Sequence, residues 1–153
     1  MAHFSRAVTK YGSNGKAVYP KAKGGLAKFR KDYPEVIIFD SKSEYETWLE
    51  LDYLERKGRI KNLRLQVPFE LIASQKWYNN VKQKEQTIRK VEYIADFVFE
   101  RDGRTVVMDC KGWKQTKNRK TGTIEWKSFQ DDVYKLKKKL FLTKYPQFLF
   151  EEK

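Results

Sequence analysis

Two runs of residues with strand character meet at a two-residue turn, and this feature constrains the fold more than any other. The runs are Val91–Phe99 and Arg104–Lys111, and Asp102-Gly103 lies between them. Asp-Gly is typical of tight hairpin turns in which both central residues adopt positive φ. The sequence therefore predicts an antiparallel hairpin whose register is fixed by its turn.

The predicted register gathers charged side chains on one face of the hairpin. Asp96 stands directly opposite Asp109, and Lys111 follows Asp109 at the two-residue spacing of one strand face. Two carboxylates about 5 Å apart repel each other, and more strongly in apolar surroundings. Mg²⁺, which favours one or two carboxylates with water and phosphate oxygens, relieves that repulsion. The pattern favours a hydrolytic metal site in which Lys111 orients or deprotonates a water molecule, or neutralises charge in the transition state.

Each of these residues also has a purely structural explanation. Asp96 can cap a strand end or pair with Lys111, and Asp109 with Lys111 can form a solvated strand end. Glu44 is the first choice for a third carboxylate because it lies on an inward-facing helix stripe. It also stands three residues after Ser41 and so suits a helix capping box. The residues alone leave these alternatives open.

The remaining segments predict the order helix, three strands, helix, strand. The predicted elements are a helix over 40–57, strands over 65–71, 91–99 and 104–111, a long helix with core positions Trp126, Phe129, Val133, Leu136 and Leu140, and a last strand over 147–151. Residues 73–88 predict a loop or strand extension, and residues 112–125 predict a loop. Pro68 lacks an amide donor, which favours an edge strand or a bulge.

A surplus of basic residues points to a polyanionic partner. The chain has 33 Lys and Arg against 20 Asp and Glu, a net charge of +13. Nucleic acid is the first candidate; a membrane is not expected, since no apolar run is long enough to cross one. One Cys and one His argue against a disulfide framework, a zinc site and His-based catalysis. The single Cys also suits the reducing cytosol, so a cytoplasmic location is expected.

The basic residues concentrate in particular segments. Residues 1–34 predict a flexible basic arm, which either grips phosphates or solubilises the terminus, and residues 35–153 predict the folded domain. Trp77, Tyr78 and Trp113 either stack on unpaired bases or pack internally. The predicted nucleic-acid contacts in the 112–125 loop and the following helix are Lys114, Lys117, Arg119, Lys120, Lys135 and Lys138.

The residues of the hairpin resemble the bipartite motif of the PD-(D/E)XK nuclease superfamily. Ile94-Ala-Asp96 is followed across the turn by Asp109-Cys-Lys111, with Ala95 where the motif has Pro. A fuller pattern over about residues 36–152 resembles a small phage and prophage endonuclease family that is Holliday-junction-resolvase-like. The segments that carry it are Phe39–Glu44, Gly58–Leu63, Gln66–Leu71, Tyr93–Phe97, Asp109–Gly112 and Leu136–Leu140.

The resemblance implies an α/β fold with a restriction-endonuclease-like αβββαβ core, in which helices flank a mixed central sheet. It implies a nuclease dependent on Mg²⁺ or Mn²⁺. By position, Asp96 and Asp109 would be metal ligands, Lys111 the catalytic lysine, and Glu44 a helix-borne acid that also serves the metal. The accessory positions on the neighbouring strand are Gln66 and Glu70.

The expected function is a metal-dependent DNA endonuclease, selective for branched DNA such as a Holliday junction, in phage recombination or replication. It would be phage or prophage encoded, act in the bacterial host cytoplasm, and use no nucleotide cofactor. Cutting two strands symmetrically calls for a homodimer. The alternatives are a non-catalytic nucleic-acid-binding protein on a nuclease-like scaffold and a basic protein–protein adaptor.

Overall fold

A computed structural model describes residues 11–13, 17–20, 31, 34, 36–39, 41–128 and 130–153 of the chain. The chain forms two compact units, Met1–Arg56 and Lys57–Lys153. The elements of the first unit are β1 (Tyr11–Ser13), β2 (Ala17–Pro20), β3 (Ile37–Ile38) and α1 (Lys42–Arg56). Those of the second unit are β4 (Lys61–Ile72), β5 (Gln75–Asn79), β6 (Lys84–Ile88), β7 (Val91–Arg101), β8 (Arg104–Asp109), β9 (Trp113–Lys117), β10 (Ile124–Ser128), α2 (Asp132–Lys144) and β11 (Leu149–Glu152).

The first unit contains a small three-stranded sheet. β1 pairs antiparallel with β2, and β2 pairs parallel with β3. β1 and β2 lie in the segment for which the sequence predicts a flexible arm, and that division of the chain stays a prediction. Most of the predicted arm, residues 1–10, 14–16, 21–30, 32 and 33, lies outside the described residues.

Helix α1 occupies the segment predicted for it and ends where its sequence indicates. Trp48 and Leu51 are buried, as their spacing predicts, and the ring of Phe39 lies 5.8 Å from that of Trp48. Gly58 has φ +70°, the left-handed conformation that ends many helices and that glycine adopts without steric cost. The helix is therefore defined by local sequence at its C-terminal end and by burial along its length.

The second unit is built on a mixed four-stranded sheet in the order β11-β8-β7-β4. β4 pairs antiparallel with β7, β7 pairs antiparallel with β8, and β8 pairs parallel with β11. The pairing of β7 with β8 runs from Arg101↔Arg104 to Phe97↔Met108, which confirms the register predicted from the turn. Asp102 and Gly103 both have positive φ, as this turn type requires.

Helix α2 covers one face of this sheet through a cluster of aromatic side chains. Phe141 is fully buried, and its ring lies 5.1 Å from Phe69 and 5.2 Å from Tyr93. The cluster also includes Leu71, Ala95, Val98 and Val107, with Tyr134, Tyr145, Phe148 and Phe150 packed against it. Burial of these rings fixes which side of α2 faces the sheet.

The predicted start and core face of this helix are wrong. The helix begins at Asp132, after an N-cap at Asp131, because Trp126 lies on strand β10. Val133 and Leu136, expected in the core, are 64% and 59% exposed. The aromatic stripe at Tyr134, Phe141 and Tyr145 lies about one residue further around the helix and is buried instead, since large rings remove more apolar area from water. Leu140 is partly buried, and Phe129 lies outside the described residues.

Residues 73–88, predicted as a loop or strand extension, and residues 112–125, predicted as a loop, largely form two-stranded ribbons. In the first ribbon (residues 75–88), β5 pairs with β6, and in the second ribbon (residues 113–128), β9 pairs with β10. Asn79 Oδ1 organises the first turn by accepting from two backbone amides at 3.0 Å, and Gly122 supplies positive φ in the second. The turn residues thus stabilise a ribbon in each of these two segments, although the polar composition of the segments is typical of loops.

Both ribbons emerge from the same end of the central sheet. The first connects the end of β4 to the start of β7, and the second follows the end of β8. Because β7 is antiparallel to β4 and β8, both connections lead away from the Asp102-Gly103 turn. The first ribbon leaves at the Ile72↔Val91 pair, whereas β8 ends part-way along β7, level with Asp96. Among the described residues, no helix is long and apolar enough to span a membrane.

Candidate active site

Asp96 lies at an irregular point of strand β7. Opposite it on β4, Gln66 has φ 51°, which is uncommon for a residue other than glycine. The cluster around Phe141 contains both Ala95 and Val98, although regular alternation would place residues three apart on opposite faces. The strand therefore changes its inward face here. Such irregularities re-aim side chains and often lie beside active sites.

The carboxylate of Asp96 bridges two neighbouring strands. Its Oδ2 accepts a hydrogen bond from the backbone N–H of Cys110 at 2.7 Å, and its Oδ1 accepts one from Gln66 Nε2 at 3.3 Å. The backbone pairing of β7 and β8 ends one position before Asp96 and Asp109. The expected direct cross-strand pair is thus replaced by a bond from Asp96 to the amide that follows Asp109.

Asp109 ends strand β8 and is almost fully buried, with 4% of its surface exposed. Its Oδ2 lies 2.6 Å from Lys111 Nζ, but outside hydrogen-bonding geometry, and within the described part of the chain this oxygen accepts no hydrogen bond. A buried charged oxygen without hydrogen bonds is energetically costly. Asp109 therefore retains a coordination position inside the protein that a ligand or cation can fill.

The backbone around Asp109 and Lys111 is held by the last strand. Lys153 N donates to Asp109 O at 3.0 Å, and Lys111 N donates to Lys153 O at 2.8 Å. These bonds continue the parallel pairing of β8 with β11 past the end of β8. Lys111 consequently leaves the sheet in an extended conformation, on the same side of the strand as Asp109.

The ammonium of Lys111 rests on an aromatic ring of helix α2. Its Nζ lies 3.6 Å from the centroid of Tyr134, a close cation–π contact. The Tyr134 hydroxyl donates to Glu152 at 2.6 Å, and Lys138 Nζ donates to the other oxygen of Glu152 at 2.6 Å. Gln130 Nε2 adds a third bond to Glu152 at 3.1 Å. This network ties Lys111 to α2 and to the end of β11.

The sequence predicts roles for Lys111 and Lys138, but it assigns no role in the site to Gln130, Tyr134 or Glu152. Tyr134 and Lys138 are four residues apart and lie on one stripe of α2, and Gln130 immediately precedes the N-cap of that helix. That spacing was available in the sequence, but the predicted helix had its core face turned away from it. The sequence around Glu152 does not indicate that it accepts these hydrogen bonds, because its partners lie far from it in the chain.

The ionisation of the site follows from its burial and its charges. Desolvation, and then the charges of Asp109, Asp96 and Glu152, raise the pKa of the buried Tyr93 hydroxyl. Burial and interactions with Asp109 and Glu152 likewise raise the pKa of Tyr134. Both phenols are therefore protonated at neutral pH. The carboxylates that raise their pKa values all lie in this small region of the protein.

The charge of Glu152 is stabilised by its surroundings. Partial burial alone would raise its pKa, but hydrogen bonds from Lys138 and Tyr134 and the charges of Lys138 and Lys111 outweigh it, so the pKa is lowered. Glu152 is thus a carboxylate at neutral pH. The Lys138 ammonium is engaged by this carboxylate, which leaves it a structural role as well as the phosphate-binding role predicted for it.

Two carboxylates of the site suit a divalent cation. Asp96 and Asp109 supply hard oxygen donors, and Asp109 Oδ2, whose neighbour is the Lys111 ammonium, could also serve an ion that completes its shell with water and phosphate oxygens. Among the described residues, no three His, Cys, Asp or Glu side chains are grouped to hold a metal ion. The donor set therefore fits Mg²⁺ or Mn²⁺ held by two protein carboxylates, and does not fit a closed structural site.

Comparison with protein families gives one match. Residues 27–151 match the family described as "Protein of unknown function (DUF1064)". The chain belongs to the DUF1064 family. No curated protein and no solved structure matches it.

Glu44 of this DUF1064 protein has a clear role in its own unit. Glu44 N donates to Ser41 Oγ at 3.1 Å, and Ser41 Oγ donates to Glu44 Oε1 at 2.8 Å. The first bond is the serine half of the capping box that the sequence left open, and the second holds the Glu44 carboxylate on the Ser41 hydroxyl. The role of Glu44 as a metal ligand stays a prediction.

The remaining predicted contacts occupy two parts of the DUF1064 protein. Lys117, Arg119 and Lys120 are exposed on the second ribbon, where they carry positive charge at the site end of the sheet. Lys114 lies on β9, and its side chain is outside the described residues. Lys135 is exposed on α2 and pairs with Asp132 at 3.1 Å.

Proposed function

We propose that this DUF1064 protein is a metal-dependent DNA endonuclease of the PD-(D/E)XK type, with a restriction-endonuclease-like core. Asp96 and Asp109 bind Mg²⁺ or Mn²⁺, and Lys111 is the catalytic lysine. The observation that carries the proposal is the buried Asp109 carboxylate, which has an oxygen without hydrogen bonds and lies beside Lys111. Burying such a charged group destabilises the folded protein. A role in a cation-dependent reaction explains why the group is buried nonetheless.

The side chains divide the chemical work. A bound Mg²⁺ supplies polarisation of the phosphodiester and a water of lowered pKa. Lys111, held on the Tyr134 ring, stabilises negative charge that develops on the phosphate. Asp96 is fixed from both oxygens by Gln66 and the Cys110 amide, so its carboxylate keeps its orientation throughout.

The charge of the chain supports DNA as the substrate. A net charge of +13 favours a polyanion, and exposed Lys117, Arg119 and Lys120 lie on the ribbon that follows Lys111. The proposed substrate class is branched DNA, cut by a homodimer during phage recombination or replication in the host cytoplasm.

Cleavage of labelled junction, flap, duplex and single-stranded DNA with Mg²⁺ or Mn²⁺ tests the proposal. We expect at least one substrate to be cut and EDTA to stop the reaction. Asp109→Asn and Lys111→Ala should each reduce cleavage by about 100-fold or more while DNA binding is retained. The matched control is Asp102→Asn, at the opposite end of the same hairpin, where asparagine also suits the turn. Binding without cleavage of any substrate overturns the proposal.

A second candidate is a nucleic-acid-binding protein without catalysis. It is favoured by the direct Lys111–Asp109 ion pair, which partly neutralises the site. It is also favoured because no three His, Cys, Asp or Glu side chains among the described residues are grouped to hold a metal ion. It predicts DNA binding that is unchanged by EDTA and by Asp109→Asn, together with no cleavage.

A further inference from the structure

The first ribbon presents large side chains to solvent on both of its faces. Trp77 is 51% exposed and Tyr78 is 54% exposed, and as neighbours on one strand they point to opposite faces. Trp77 pairs across the ribbon with Gln86, and Tyr78 pairs with Glu85. None of these residues belongs to the core cluster of the second unit. Internal packing therefore does not account for the two aromatic rings.

Basic side chains lie on the same ribbon as the two rings and directly after it. Lys82, Lys84 and Arg89 are exposed, and among the described residues none of them forms an ion pair. Lys76 and Lys90 differ, because Lys76 pairs with Glu85 at 3.5 Å and Lys90 pairs with Glu92 at 2.7 Å. The ribbon thus has three uncompensated cations next to two exposed aromatic rings.

This combination matches the chemistry of nucleic acid that has lost its base pairing. Aromatic rings stack on unpaired bases of any sequence, and lysine and arginine bind the phosphates between them. An apolar protein partner would leave the three cations to be desolvated without compensation, which is costly. Charge complementarity therefore favours a polyanion with accessible aromatic faces.

We propose that the first ribbon binds unpaired nucleotides of DNA at a branch point, with Trp77 and Tyr78 stacking on bases on its opposite faces and Lys82, Lys84 and Arg89 contacting phosphates. Rings on two faces suit a ribbon that lies between two strands after they separate. The ribbon extends from the Ile72↔Val91 pair, in the direction towards which β8 points where it ends at Asp109, so a bound branch point would approach the candidate site. The inference deepens the proposed function, on which its choice of DNA rests.

Fluorescence anisotropy in EDTA tests the ribbon separately from catalysis. The probes are a labelled fork with two unpaired arms, a single strand and a fully paired duplex of the same length, at fixed salt. The double variant Trp77→Ala/Tyr78→Ala should bind the fork and the single strand about tenfold or more weakly, and the duplex with less than about a threefold change. The control Trp77→Phe/Tyr78→Phe keeps the rings and should bind the fork within about threefold of wild type.

A second pair of variants tests whether the unpaired basic residues of the ribbon contact phosphates. Lys82→Ala/Lys84→Ala/Arg89→Ala should lower the dependence of fork affinity on salt concentration by about 0.7 in the log–log slope for each lost phosphate contact. Lys76→Ala/Lys90→Ala removes two lysines that are already paired within the protein and should change the slope less. All substituted residues are exposed, and circular dichroism verifies that each variant is folded.

The outcomes separate this inference from the proposed function. Loss of fork binding in the aromatic variant supports the ribbon even if no metal-dependent cleavage is found. Fork binding equal to wild type, or equal losses for fork and duplex, overturns the ribbon inference while leaving the cleavage test unaffected.

Discussion

Lys111 is positioned by the ring of Tyr134, and this contact can be tested without an activity assay. Ring currents should shift the Lys111 ε-methylene protons upfield in the wild-type protein. Tyr134→Phe keeps the ring and should retain that shift, whereas Tyr134→Leu should lose it. Cation–π contacts contribute about 0.5–2 kcal/mol, so cleavage by Tyr134→Leu should fall by about 2- to 30-fold.

The two substitutions also separate the ring from the hydroxyl. Tyr134→Phe removes the bond to Glu152 but not the contact with Lys111. If both variants show the same Lys111 proton shifts, the ring does not position the ammonium.

Glu152 makes the stability of the protein depend on acid pH. Its folded-state pKa is lowered, because bonds from Lys138 and Tyr134 and nearby positive charge outweigh its partial burial. Its stabilising contribution is therefore fully present above the unfolded-state pKa of about 4.3 and is lost as pH falls through the folded value.

Urea unfolding of wild type and Glu152→Gln between pH 3 and 7 measures this dependence. We expect the wild type to be more stable at neutral pH and the difference to shrink in acid. A difference that is constant over this range, or that grows on acidification, contradicts the assignment of a lowered pKa.

Among the secondary-structure elements, α2 packs with a different face from the one predicted. Two substitutions compare how much the observed and the predicted core positions contribute to stability. Phe141→Ala removes a fully buried ring and should cost about 3–5 kcal/mol in the free energy of unfolding. Leu136→Ala, at a position that periodicity assigned to the core, should change it by no more than about 1 kcal/mol because Leu136 is largely exposed. Chemical denaturation checks both values, and a larger loss at Leu136 would restore the predicted face.

The start of α1 allows the structural and catalytic roles of Glu44 to be separated. Ser41→Ala removes the hydroxyl of the cap and should cost about 1 kcal/mol of stability. Glu44→Gln retains an acceptor for Ser41 and should leave stability within about 0.5 kcal/mol of wild type. If Glu44 also serves the metal, this variant loses cleavage at unchanged melting temperature; full cleavage by Glu44→Gln contradicts the ligand prediction.

At the scale of the whole molecule, the excess of positive charge predicts a strong dependence of DNA affinity on salt. Each protein–phosphate contact contributes about −0.9 to the slope of log affinity against log salt for duplex DNA. The triple variant Lys117→Ala/Arg119→Ala/Lys120→Ala should therefore flatten the slope by up to about 3. The control is Lys42→Ala, an exposed lysine that already pairs with Glu46 at 3.1 Å. Equal slopes for the triple variant and wild type would remove the second ribbon from the interface.

Turns and helix ends could be predicted from the amino-acid sequence because they depend on residues that are close together in the chain. Asp102-Gly103 fixed the register of β7 with β8, and Gly58 and Ser41 marked the ends of α1. Pro68, which cannot donate to a neighbouring strand, indicated an edge position, and β4 is indeed an edge strand of the central sheet. Turn and cap chemistry acts over a few residues, so it can be recognised without knowing the rest of the fold.

Contacts between residues that are far apart in the chain could be recognised only in the three-dimensional structure. The buried stripe of α2 depends on which rings fill the space against the sheet, and the bond from Asp96 to the Cys110 amide depends on an irregularity opposite Gln66. The support of Lys111 joins Tyr134 on a helix to Glu152 on the last strand. Such contacts form only when packing brings remote residues together, and hydrophobic periodicity does not specify which of several faces packs.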